Sequence, residues 1–143
     1  MALEEIKEKF AGKWKQDRKE NFEEFLKVMK INYVMRKMMN NVNPEEEISV
    51  EDDHIVVRFK AGPMTKESKF KLNEEFEEER MGIMMKIIGR YEDGKIKMEC
   101  SPTDKEMKVQ HATRERVGEE VLLTVVVGDG DVTCKRYFKR VPT

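Results

Sequence analysis

Pro44 divides this chain into two patterns. Before it, apolar residues recur at helical spacing. After it, they recur every second position almost to the C-terminus. "HIVVRF" puts Ile55, Val57 and Phe59 on one face, and "ESKFKL" puts Phe70 and Leu72 on one face. "MGIMMKIIGRY" is apolar and short. "EDGKIKMEC" opens on Asp93-Gly94, a hairpin signal, and "VLLTVVV" runs into "GDGD", a second turn. A strand with one apolar face must cover that face with other strands. Many short strands with polar turns and almost no later helix therefore predict an antiparallel barrel or sandwich.

The segment before Pro44 is different. "LEEIKEKFAGKWK" begins with helix-like spacing and then reaches Gly12 and Trp14. In "NFEEFLKVMKINYVMRKMMNN", Asn21 suits an N-cap, and the two glutamates after it suit a first turn. Phe22, Phe25, Leu26 and Met29 follow at helical spacing, then Ile31, Met35, Met38 and Met39. This predicts two short paired helices within about 21–41, ended by Pro44.

Several classes of function are disfavoured. The 143 residues fit one domain, 1–143, with a core that needs no disulfide. The 28 basic and 29 acidic residues leave a net charge of -1, which makes no case for nucleic acid. No apolar run approaches the ~20 residues of a membrane span. The opening "MALEEIKEKF" is charged and lacks the apolar stretch of a secretory signal, so a soluble intracellular protein is expected. Cys100 and Cys134 are then expected as free thiols. His54 and His111 belong to no metal-ligand spacing, and there is no CxxC. "GDGD" lacks the following helix of a phosphate cradle, and "EEFEEE" reads as a solvated face. With no nucleophile constellation either, the expectation is a protein without catalytic residues, metal or cofactor. Eleven methionines suit a lining that adapts to its contents, and equally suit ordinary core packing.

The closing stretch "DVTCKRYFKRV" poses the functional question. Alternation places Val132, Cys134, Arg136, Phe138 and Arg140 on one face, which begins like a core face but holds an arginine between a cysteine and a phenylalanine. Arginine stays charged and cannot escape burial by losing its proton. From alternation alone, Arg136 could pair with an internal acid, face solvent at a strand end, or await a ligand's anion.

Three stretches carry a resemblance. "FAGKWK" with "ENFEEFLKVMKINYVMRK", "KFKLNEEFEEE", and "TRERVGEEVLLTVVVGDGDVTCKRYFKRV" are similar to segments of the intracellular lipid-binding proteins, the family of fatty-acid-binding and cellular retinoid-binding proteins. Gly12, Trp14, Asn21, Phe22 and the terminal Cys-x-Arg are its most specific marks. Gln16 and Lys19 depart from the pattern. The resemblance implies an all-β fold: a ten-stranded antiparallel up-and-down β-barrel with a helix-turn-helix lid near the N-terminus. The eight-stranded lipocalin barrel, usually secreted and disulfide-bonded, is the nearest alternative architecture.

The resemblance also implies a site. The family's ligand carboxylate is commonly held by two arginines and a tyrosine, which match Arg114, Arg136 and the position of Phe138, where the hydroxyl is lost. Tyr137, its neighbour, should point outward. Phe22, Phe25, Ile31, Met35 and Met39 match the helix-facing side of the cavity. Val42 and Pro44 match the segment beside the ligand portal, and Pro63 with Met64 replaces an aromatic residue of the opposing loop. Lys27, Lys30, Arg36 and Lys37 would give the lid positive charge for transient contact with anionic membranes. The function implied is a non-catalytic, monomeric cytoplasmic carrier of a long-chain fatty acid. Retinoic acid binding is the alternative within the family, a lipid-dependent signalling or interaction module is an alternative of a different functional class, and a nuclear location beside the cytoplasmic one is left open.

Overall fold

The computed structural model describes residues 2–142. Its helices and strands run α1 (Ala2–Phe10), β1 (Gly12–Glu20), α2 (Phe22–Val28), α3 (Tyr33–Asn40), β2 (Glu45–Glu51), β3 (His54–Ala61), β4 (Met64–Phe70), β5 (Phe76–Arg80), β6 (Ile83–Glu92), β7 (Lys95–Pro102), β8 (Gln110–Val117), β9 (Glu120–Val127) and β10 (Val132–Arg140). The strands form one sheet in the order β4-β3-β2-β1-β10-β9-β8-β7-β6-β5, every ladder antiparallel. Consecutive strands are thus neighbours, and β1 closes on β10. The fold is the ten-stranded up-and-down barrel, neither a sandwich nor an eight-stranded barrel.

The ladder is interrupted only between β4 and β5, and side chains bridge that gap. The Ser68 hydroxyl donates to Glu78 Oε2 at 2.7 Å, Lys66 Nζ donates to the Glu79 carbonyl at 2.6 Å, and the Phe70 and Phe76 rings stack with centroids 5.3 Å apart. Gly89 makes room for this stack, since a Cβ there would lie 2.8 Å from the Phe70 ring. The Asp93-Gly94 signal is a two-residue turn between β6 and β7, with φ of 55° and 75°.

Helices cover the two ends. The helix-like start of the chain is a full helix, α1, whose Ile6 and Phe10 lie one turn apart and are completely buried. Its last carbonyls are met from the barrel: Trp14 Nε1 donates to the Phe10 carbonyl (2.8 Å), Arg116 Nη1 to that of Lys9 (2.8 Å) and Arg140 Nη1 to that of Ala11 (3.1 Å). Glu5 in turn accepts from the Tyr91 hydroxyl at 2.7 Å. This end is sealed by a packed plug.

At the other end sit α2 and α3. Phe22, Phe25 and Leu26 bury α2, whereas α3 has no buried residue. Asn21 precedes α2, but it does not cap it as expected. It adopts φ 59° and makes no side-chain cap; its Nδ2 donates to the Thr133 carbonyl at 3.1 Å and so ties the lid to β10. Asn32 caps α3 instead, its Oδ1 accepting from Met35 N at 2.9 Å. Cys100 and Cys134 are free and buried, on strands separated by β8 and β9. Among the described residues no helix is long and apolar enough to cross a membrane.

Candidate functional site

Register decides which side chains meet inside the barrel. Arg136 on β10 pairs with Leu123 on β9, and Leu123 pairs with Arg114 on β8, so both arginines share the face of Leu123. That face is the inner one, because Cys134 and Phe138, on either side of Arg136, are 1 % and 0 % exposed. Tyr137 points outward, as expected: Arg18 stacks on its ring at 4.1 Å and its hydroxyl reaches Glu20.

Arg114 already has an acid. Glu46 on β2, four strands away around the wall, projects across the interior, and its Oε1 accepts from Arg114 Nη2 at 2.8 Å while Oε2 accepts from Nε at 3.4 Å. Both side chains are nearly inaccessible, 11 % and 4 % exposed. Burial by itself would raise the Glu46 carboxyl, but Arg114, with Arg136 and Arg80 beyond it, holds it below the usual carboxylate range. Burial likewise works against the Arg114 charge, and Glu46 more than restores it. The internal acid that alternation allowed for Arg136 thus belongs to Arg114. Glu46 was legible by the same logic: in "NPEEEISV" it stands between Pro44 and Ile48 on their face.

Arg136 is left differently. Its Nε donates to Gln16 Oε1 at 2.7 Å, and its guanidinium lies 4.7 Å from the Phe22 ring centre and 5.7 Å from that of Phe138. No carboxylate among the described residues stands at salt-bridge distance from it. Burial lowers its pKa, with Glu46 only partly opposing. Gln16, the departure noted in the sequence, is therefore the side chain that orients Arg136.

A bulge supplies a second cation. β1 and β10 are in register through Gln16↔Phe138, then shift by one residue, so that Arg18 faces Tyr137 and Lys19 faces Arg136. Strict alternation from Trp14 and Gln16 would turn Arg18 inward; the extra residue turns it out to Glu120 (2.7 Å) and turns Lys19 in. Lys19 Nζ donates to the Asn40 carbonyl at 2.6 Å, at the end of α3, and lies 5.4 Å from the Phe22 ring centre.

The other expected residues spread from this cluster to the surface. Phe22 and Phe25 are buried and stacked, with centroids 6.3 Å apart, and Phe138 is enclosed. Ile31 and Met39 are partly buried against the core. Pro44 is buried at the start of β2, its carbonyl accepting from Gln16 N at 2.9 Å, and Val42 beside it is partly buried. Met35 and Met64 are not gathered with the rest: they are 38 % and 52 % exposed, on α3 and at the rim of β4. Inward-pointing Val57, Phe59, Ser68, Phe76 and Val125 keep some accessible surface, so water-sized space lies beside them. Among the described residues no group of His, Cys, Asp and Glu is placed to hold a metal ion. Burial pushes both cysteine thiols up from their ordinary value.

Comparison with known proteins gives a consistent result. A model of the lipocalin / cytosolic fatty-acid binding protein family matches residues 11–141. A fatty acid-binding protein of Lepidoglyphus destructor is 38% identical over 132 residues, covering 91% of this chain and 96% of the relative. Cellular retinoic acid-binding protein 1 of Takifugu rubripes is 33% identical over 135 residues, covering 92% and 97%. Among solved structures, Echinococcus granulosus fatty-acid-binding protein 1 superposes with a TM-score of 0.84 at 30% identity, covering 94% of this chain and 99% of that one.

Proposed function

The chain belongs to the lipocalin / cytosolic fatty-acid binding protein family, and we propose that it is a non-catalytic carrier that holds a long-chain fatty acid inside the barrel with its carboxylate on Arg136. The observation that carries this reading is an inward-facing guanidinium with no acidic partner among the described residues, two strands from an arginine that has one. An unpaired buried charge costs several kcal/mol, and a ligand carboxylate answers it with charge-assisted hydrogen bonds. Arg114, its charge already matched by Glu46, borders the polar end of the site without carrying the head group's charge. The acyl chain contributes about 0.8 kcal/mol per buried CH₂ before the costs of ordering. Phe22, Phe25, Ile31, Met39 and Phe138 line its course under the lid, and Val42, Pro44, Met35 and Met64 border the portal.

Retinoic acid is the second reading, supported by the retinoic acid-binding relative. It is also an apolar acid, so the same cation would serve it. We place the protein in the cytoplasm as a monomer of one domain. Tyr33, Val34, Met35 and Met38 leave an exposed apolar surface on α3 with Lys37 over the Tyr33 ring, and Lys27 and Lys30, exposed but paired with Glu24 and Glu106, precede it in the chain, which suits transient contact with anionic lipid. Arg36 contributes less there than the sequence suggests, because it is tied to Glu23 (2.9 Å) and the Ile31 carbonyl (2.7 Å).

The test is binding of oleate, oleyl alcohol and retinoic acid to delipidated protein, alone and in competition, with Arg136→Gln alongside. Oleate should bind more tightly than the alcohol, and Arg136→Gln should weaken the acid roughly tenfold to a hundredfold while sparing the alcohol. Equal losses for acid and alcohol would show that Arg136 supports the barrel and does not read the head group.

A further inference from the structure

We infer that the carboxylate-binding element of this barrel is the pair Lys19 and Arg136, in place of two arginines, and that it lies directly beneath the lid. The inference rests on the carrier reading above and names the residues that would carry its specificity.

The bulge in β1 is the first reason. It sets Lys19 opposite Arg136 on the inner face, where unbroken alternation would have put it outside. The second is the ring between them. Phe22 of α2 has the Lys19 ammonium 5.4 Å and the Arg136 guanidinium 4.7 Å from its centre, so both cations flank one side chain of the lid. The third is the absence of an internal answer. Among the described residues neither cation has a carboxylate at salt-bridge distance, whereas Arg114 has Glu46 and Arg80 has Glu78 at 3.7 Å.

Donor capacity points the same way. An ammonium has three N–H groups, and Lys19 uses one on the Asn40 carbonyl; a guanidinium has five, and Arg136 uses one on Gln16. The remaining donors belong to two like charges side by side, an arrangement that burial and mutual repulsion both oppose. The same two causes, burial first and Arg136 second, hold the Lys19 pKa below the usual lysine range. One anion placed between them removes the repulsion and takes hydrogen bonds from both. Arg114 offers less, since its charge is already matched.

Lys19 also fastens the end of α3, so the experiment must separate that role from ligand binding. Oleate and oleyl alcohol are titrated into delipidated wild type, Lys19→Met, Lys19→Arg, Arg136→Gln and the double variant Arg114→Met with Glu46→Leu. Lys19→Met should weaken oleate roughly tenfold and leave the alcohol unchanged. Lys19→Arg, which keeps the charge, should restore the acid. The double variant removes a neutral pair and should keep the preference for acid. Equal loss of acid and alcohol in Lys19→Met would mean that Lys19 only anchors α3. A lost preference in the double variant with an intact one in Lys19→Met would place the carboxylate at Arg114. Both results overturn the inference and leave a fatty-acid carrier in place, the second with its carboxylate moved from Arg136 to Arg114. Failure of wild type to bind either lipid would remove both.

Discussion

Glu46→Gln tests the interior electrostatics most directly, because it changes one atom of the ion pair and almost no volume. Glu46 is 4 % exposed and Arg114 11 %, with 2.8 Å between their closest atoms. Removing one partner of a buried pair costs about 3–5 kcal/mol, since the other charge stays buried without compensation. The amide oxygen of the new glutamine can still accept one hydrogen bond, which favours the low end, about 3 kcal/mol. Unfolding entropy of about 2.1 cal/mol/K per residue gives about 0.3 kcal/mol/K for a chain of this length, so Tm of the lipid-free protein should fall by about 10 °C. Acid binding should move the other way. Glu46 bears on Arg136 as well as on Arg114, so its charge opposes an incoming carboxylate. With that charge gone and Arg114 free, affinity for oleate should rise about tenfold, while oleyl alcohol stays constant. The assays are thermal unfolding of delipidated protein and matched acid and alcohol titrations. An unchanged Tm together with an unchanged preference would refute the ionised pair and the electrostatic account built on it.

Other outcomes follow from the same structure. Because Glu46 is held below its unfolded value, its ionisation favours the folded state at pH above about 4.3, and that contribution is lost as pH falls through the lower folded value; acid unfolding followed by circular dichroism should begin at higher pH in wild type than a Glu46→Leu, Arg114→Met double variant shows. Ile6→Ala should cost about 2–4 kcal/mol in denaturant unfolding, since the side chain is wholly buried in the α1 plug; a cost below about 0.5 kcal/mol would mean that α1 is dispensable. Phe138→Tyr returns a hydroxyl beside Arg136, whose guanidinium is 5.7 Å from the ring centre, and should strengthen oleate several-fold without strengthening the alcohol; titration of both ligands checks it.

The fold was legible where the physics is local. Period-two alternation after Pro44 reflects a wall with one apolar face, and Asp93-Gly94 names a turn that needs two positive φ angles. Closure into a barrel was not legible from alternation, which fits a sandwich equally well; the resemblance supplied it. α1 was only half visible, because nine residues of helix are weak alone and depend here on Trp14, Arg116 and Arg140 meeting their carbonyls. In the site, alternation picked out Arg136 because no bulge intervenes on β10. Alternation gives no access to Lys19, because the bulge after Gln16 shifts the face by one, a change that no periodicity shows. The Arg114–Glu46 pair joins residues 68 positions apart, so each could be flagged as an odd inward charge but not matched to the other.

The pairing pattern bears on ligand class more than the number of arginines does. Arg114 with Glu46, and Arg80 with Glu78, are each close to neutral, and Glu78 is further held by Ser68 across the gap in the ladder. A neutral pair exerts a field that falls quickly, so these groups polarise the interior without selecting an anion. The surplus rests on Lys19 and Arg136. Removing that surplus, by Lys19→Met together with Arg136→Gln, should leave an interior that prefers oleyl alcohol or an oleyl amide to oleate. The charged head group would then lose its hydration for no compensating partner, whereas the neutral ones would lose little. Side-by-side titration of the three ligands reads the reversal directly. Persistence of acid preference in that double variant would show that Arg114 selects the anion despite Glu46, and that charge surplus is the wrong measure of this site.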